Sequence, residues 1–176
     1  MTMWVFGYGS LVWNPGFDVA EQRLATLEGY ARSFCMRSVH HRGTHDNPGL
    51  VLALDAAAGA SCQGVAMAVR GGQEAEVLEY LRARELISSA YVERDLEVRL
   101  QGGEIAQAVT YVIDTAHVQY CGGMPLETQA EIIAAAHGGR GPNTEYLYNT
   151  AEHLAELGIA DADLEWLARR VRALAA

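Results

Sequence analysis

The chain has 176 residues, 50% of them hydrophobic and 20% charged, which suits one globular domain with a core of its own. A formal charge of -9 without any basic run argues against nucleic-acid binding, because phosphate contacts need clustered Lys and Arg. Cys35, Cys62 and Cys121 form no CxxC pair, no window approaches the roughly 18 apolar residues of a membrane span, and the N-terminus lacks a basic leader, so a cytoplasmic protein without disulfides, cysteine zinc site or membrane segment is expected.

In chain order, residues 3–8 read as a strand that breaks into Gly-Tyr-Gly-Ser. Strand-like patches follow in 22–39, then a loop over 40–49 marked by Gly, Asn, Asp and Pro. "LVLALD" (50–55) and "CQGVAMAVR" (62–70) read as buried strands, and a helix is predicted over about 73–85. Val92, Leu96, Val98 and Leu100 share one parity in 91–100, so that segment reads as a half-buried strand, with "QGGE" turning the chain into a return strand over 105–113. The remainder is helical: one helix over 126–137, one opened by Asn143 as a cap after Pro142 and ended by Gly158, and a last one capped by Asp161 or Asp163. Strands first and helices later define an α+β protein, and six or seven strands suggest a small closed or nearly closed β-barrel with flanking helices.

Two features carry possible chemistry. "GYGS" is neither a P-loop nor a GxGxxG fingerprint. Gly7 and Gly9 permit unusual backbone angles, so the turn is either a bend or a nest of N–H groups for an anion, with the Ser10 hydroxyl beside it. In the helix, Val77, Leu78 and Leu81 form an apolar stripe. At roughly 100° per residue, Glu85 falls about 20° from Leu78 and about 40° from Leu81. A carboxylate on a buried stripe at a helix C-terminus is disfavoured as an anion, which suits proton transfer near neutral pH. The same residue could instead fray outward or pair with Arg82, Arg84 or Arg94.

Other constellations are weaker. His40 and His41 are adjacent and would face opposite ways on a strand, so "HHRGTH" does not make a metal site. Arg42 reads as a carboxylate clamp or a loop ion pair. No GxSxG elbow is present, and the cysteines sit in apolar or glycine-rich stretches unsuited to nucleophiles.

These stretches together resemble the ChaC-like γ-glutamylcyclotransferases. The resemblance runs through "WVFGYGSLVWNPGF", "RSFCMRSVHHRG", "NPGLVLALD", "GVAMAV", "YLRARE" and "GPNTEYLYNTAEHLAELGIADADLEWL". It implies a single cyclotransferase-type domain over 1–176 that releases 5-oxoproline from a γ-glutamyl compound, typically glutathione, without cofactor or metal. The family's "YLxxRE" pattern puts its catalytic glutamate at Glu85. Its substrate loop falls on Val5, Phe6, Gly7, Tyr8, Gly9, Ser10 and Leu11, with further substrate contacts implied at Tyr91 and Tyr146 and a carboxylate contact open to Arg42. "LISSAYVERD" lacks the glycine pair that some eukaryotic members carry after the glutamate, which bears on donor preference. Other γ-glutamyl donors, or a non-catalytic binding module, are the rival readings; oligomeric state is not legible.

Overall fold

A computed structural model describes residues 2–86 and 89–176. The elements are β1 (Trp4–Gly7), α1 (Ser10–Trp13), β2 (Val19–Ser38), β3 (Gly49–Val69), α2 (Glu74–Glu85), β4 (Tyr91–Leu100), β5 (Ile105–Ile113), α3 (Leu126–Ala135), β6 (His137–Gly138), β7 (Gly141–Pro142), α4 (Asn143–Glu156) and α5 (Ala162–Ala175). Strands β1 to β5 close into a barrel in the order β1-β3-β2-β4-β5, and β6 and β7 form a separate two-stranded pair. The α+β barrel with flanking helices is therefore present, with fewer and longer barrel strands than the sequence suggests. The predicted strands at 50–55 and 62–70 are one strand, β3. The Ala, Gly and Ser residues between them give no alternation to read, and Gly59 continues the strand at φ +81, a left-handed angle that suits glycine.

The chain divides into two compact units: Met1–Arg32 with Ala53–Val118, and Ser33–Leu52 with Gln119–Ala176. In the first unit, β4 and β5 pair antiparallel from Tyr91↔Ile113 to Arg99↔Ile105, and β1 runs parallel to β5 through Val5↔Val109. Alternation turns Phe6, Ala66, Val98, Leu100, Ala108 and Thr110 to one face, all buried, with the Thr110 hydroxyl donating to the Ala108 carbonyl. This is the barrel interior, since the opposite parity exposes Asp95, Glu97, Arg99 and Gln107 at one end.

The second unit is built on helices. Leu147 and Leu154 of α4 are buried, as are Ala130 and Ile133 of α3 and Leu164, Leu167 and Val171 of α5. These positions recur at helical spacing, so each helix buries one stripe. Asp161 caps α5, its carboxylate accepting from the Leu164 N–H at 3.0 Å. Asn143 begins α4 but does not cap it, because its side chain is engaged with β3.

Candidate active site

The outer barrel face of the first unit is covered where Val5, Gly7, Val65, Met67 and Tyr111 lie. Strand registers put them on one side, with Glu93 opposite Tyr111 and Tyr91 opposite Ile113. Helix α2 lies against this face: Val77 and Leu81 are buried, and Arg82 donates to Glu93 from Nε at 3.0 Å and Nη2 at 2.9 Å. Glu85 is the last residue of α2. Its side chain is 14% exposed, and Oε1 lies 3.3 Å from Nε of Arg84, whose side chain is equally buried. Glu85 thus joins the two sequence alternatives: it lies on the covered side, and it is paired.

Arg84 links this carboxylate to the glycine turn. Its Nη1 donates to the carbonyls of Asn14 (2.5 Å) and Pro15 (3.2 Å), and its Nη2 reaches Ser10 Oγ at 3.3 Å. The β1–α1 turn is packed: Val5, Phe6, Gly7, Tyr8, Gly9 and Leu11 are buried, with Ser10 half-buried. Neither glycine has a positive φ; Gly9 has φ -143 and ψ -121, outside the helical and extended regions. Space around Gly7 is tight: a Cβ there would stand 2.8 Å from the Met67 methyl carbon, the end of a flexible side chain that would have to shift. On the strand side, Arg32 donates from Nε to the Tyr8 carbonyl at 2.7 Å and from Nη2 to the Gln63 carbonyl. A trans peptide points its N–H opposite its carbonyl, so fixing the Tyr8 carbonyl also fixes the direction of the Gly9 N–H. The Val12 N–H donates to the Gly9 carbonyl at 2.9 Å, while the Ser10 and Leu11 N–H groups come too early in α1 for a carbonyl of that helix to accept them.

A second group borders Glu85. The Tyr111 hydroxyl donates to Glu93 Oε1 at 2.9 Å. Burial, followed by this bond to Glu93, holds the Tyr111 hydroxyl far above its ordinary titration range, with the nearby charges of Glu93 and Glu85 adding to the effect. The Arg82 hydrogen bonds hold the Glu93 carboxyl below the usual carboxylate range, against the opposing effect of burial. Tyr91 begins β4 on this same face. Ile87 and Ser88, within the stretch that lacks the glycine pair, lie outside the described residues.

Arg42 and Tyr146 belong to the second unit. Arg42 is buried, its Nη1 donating to the Pro142 carbonyl at 3.1 Å and lying 3.7 Å from Glu145. Its guanidinium carbon stands 5.8 Å from the centre of the Tyr146 ring. The Tyr146 hydroxyl accepts the Leu52 N–H at 3.1 Å, and the Asn143 amide both donates to and accepts from the Leu50 backbone at 2.8 Å. Asn143 and Tyr146, one helical turn apart, therefore fasten α4 to β3. His40 and His45 stack edge-on at 5.5 Å. Sequence reasoning named Arg84 only as a possible partner for Glu85, and it missed Arg32, Glu93 and Tyr111. Alternating strand parity marks Glu93 and Tyr111 as facing one side, but nothing in the sequence shows that α2 covers that side.

A small closed barrel with flanking helices is the fold that the sequence resemblance implies. The family model for ChaC-like proteins matches residues 3–174, and the chain belongs to that family. Among similar proteins, Gamma-glutamylcyclotransferase 2-1 of Arabidopsis thaliana is 37% identical over 98% of this chain and 83% of its own length. The Glutathione-specific gamma-glutamylcyclotransferase of Escherichia coli is 35% identical over 99% of this chain and 74% of its own. The crystal structure of a selenomethionine-labelled yeast γ-glutamyl cyclotransferase specific to glutathione matches with a TM-score of 0.88 at 26% identity, covering 98% of this chain and 96% of that one.

Proposed function

We propose that this chain is a glutathione-specific γ-glutamylcyclotransferase, releasing 5-oxoproline and Cys-Gly, with Glu85 as the general acid and base. The observation that carries the reading is the Arg84 guanidinium, which lies against Glu85 and also hydrogen-bonds Ser10 and Asn14. One side chain ties a largely buried carboxylate to the turn whose N–H groups suit an anion.

The substrate supplies its own nucleophile. Its α-amine attacks the γ-carbonyl carbon, a C–N bond forms to close a five-membered ring, and the amide C–N bond to cysteine breaks. Glu85 takes the proton from the amine and returns it to the departing nitrogen. Backbone N–H groups in the stretch Val5–Leu11 receive the substrate carboxylate or the developing oxyanion, and the Tyr91 ring lines the same side. Binding the chain folded brings amine and carbonyl together, which is worth up to several kcal/mol. The cysteines Cys35, Cys62 and Cys121, far apart in sequence and without a CxxC pair, fit a reducing cytoplasm.

The test is incubation with glutathione and detection of 5-oxoproline and Cys-Gly. Glu85→Gln is expected to lower kcat by about 10²–10⁴-fold, the usual reach of positioned acid–base catalysis. Equal activity in the two proteins removes Glu85 from the mechanism. Because the Arabidopsis relative's name specifies no donor, other γ-glutamyl amino acids compete in the same assay, and a better turned-over donor replaces glutathione in this reading.

A further inference from the structure

The carboxylate of Glu93 plays no part in the ring closure, yet it is the centre of a connected group under α2. Arg82 grips it through two nitrogens, at 3.0 and 2.9 Å, and Tyr111 donates to one of its oxygens at 2.9 Å. A two-nitrogen grip fixes orientation as well as distance. Arg82 is three residues before Glu85, on the same turn of helix, so holding Arg82 against β4 also holds the helix end that carries Glu85. Tyr111 stands on β5 directly across from Glu93 and feels the charges of both carboxylates.

We propose that Arg82, Glu93 and Tyr111 are positioning residues that lock the last turn of α2 onto the β4–β5 hairpin and keep the charge beside Glu85 balanced. This rests on the reading of Glu85 given above and adds to it a device outside the catalytic turn. Among the described residues, Arg84 on α2 pairs with Glu85 and Tyr111 on β5 feels its charge, while Arg82 lies on the same helical turn and Glu93 and Tyr91 share the face of β4 that Tyr111 shares on β5. Arg84 pairs with Glu85 directly, whereas Arg82 and Glu93 pair with each other. Removing one member of that pair exposes the other: a lone Arg82 cation favours ionised Glu85, and a lone Glu93 anion favours its protonated form.

The balance makes a prediction of sign that simple loss of structure does not. Arg82 is largely exposed, and Glu93→Gln keeps the side-chain shape, so neither change threatens the core. The Glu85 carboxyl carbon is followed by NMR across pH in the wild type, Glu93→Gln, Arg82→Gln and the double variant. The titration midpoint is expected to fall in Glu93→Gln, rise in Arg82→Gln, each by about half a pH unit, and return in the double variant. The acid limb of kcat/KM for 5-oxoproline release moves the same way, and Arg82→Lys restores the midpoint while kcat stays reduced, because a point charge does not reproduce the two-nitrogen grip. Shifts of the same sign in both single variants, or none, overturn the proposal. The titration decides this without turnover, so a wild type that releases no 5-oxoproline sinks the cyclotransferase reading alone.

Discussion

Replacing Arg84 with methionine keeps the apolar stem of the side chain and removes the donors that reach Ser10, Asn14 and Pro15. The turn and the helix end then lose their shared anchor. We expect kcat/KM for glutathione to fall by at least about tenfold in steady-state kinetics, since small misplacements of reacting groups are costly. Lysine at this position is expected to rescue little, because one ammonium does not span the acceptors of a planar guanidinium. Asn143→Ala tests a different kind of residue. Its amide satisfies both the N–H and the carbonyl of Leu50, and the side chain is fully buried. Leaving both backbone groups unpaired is expected to lower stability by about 2 kcal/mol or more in urea unfolding. The sequence marks Asn143 as a helix start, and the helix does start there. It cannot show that the amide bonds across 93 residues to a strand rather than back to its own helix. Glu85 was legible because helical spacing alone sets its face; Arg84, one residue earlier, falls on the stripe's edge, and its partners come from a loop about 70 residues away.

At the scale of elements, the β4–β5 hairpin was legible in full, since alternation and a Gly-Gly turn carry their own register information. Helices α2 and α5 were legible for the same local reason. The β6–β7 pair was not: His137–Gly138 and Gly141–Pro142 are too short for any period, and they are held by long-range bonds from the Gly139 and Arg140 N–H groups to the His40 and His41 carbonyls. The contact of α2 with β4 has a pH signature. Hydrogen bonds from Arg82 lower the folded-state pKa of Glu93 below its ordinary 4.5. That contribution to stability is therefore present above about pH 4.5 and is lost as pH falls through the lower, folded value. Glu93→Gln is expected to flatten the acid side of the stability curve, measured as urea midpoint against pH between about 5 and 3. Asp161→Ala removes the α5 cap and is expected to cost about 1 kcal/mol, without changing kcat.

For the molecule as a whole, the chain passes from one compact unit to the other at 32/33, at 52/53 and at 118/119. The first two passages fall inside continuous strands, β2 and β3, rather than in loops. A strand cannot be half-formed without exposing the edge of its neighbour, so the two units are expected to melt together. Trp4 and Trp13 report on one unit and Trp166 on the other. Heating the double variant Trp4→Phe/Trp13→Phe and the single variant Trp166→Phe should give fluorescence midpoints that coincide, each compared at its own far-ultraviolet transition.

The shared strands also bear on inheritance and engineering. No single cut in the gene releases either unit with all of its own segments, because each is assembled from two stretches separated by a piece of the other. Domain shuffling, which moves contiguous stretches of sequence, has nothing here to move except the chain entire. Splitting the protein for fragment complementation is therefore expected to work best in the exposed loop at 115–118, leaving both long strands in one fragment, and to fail when the break falls within β2 or β3.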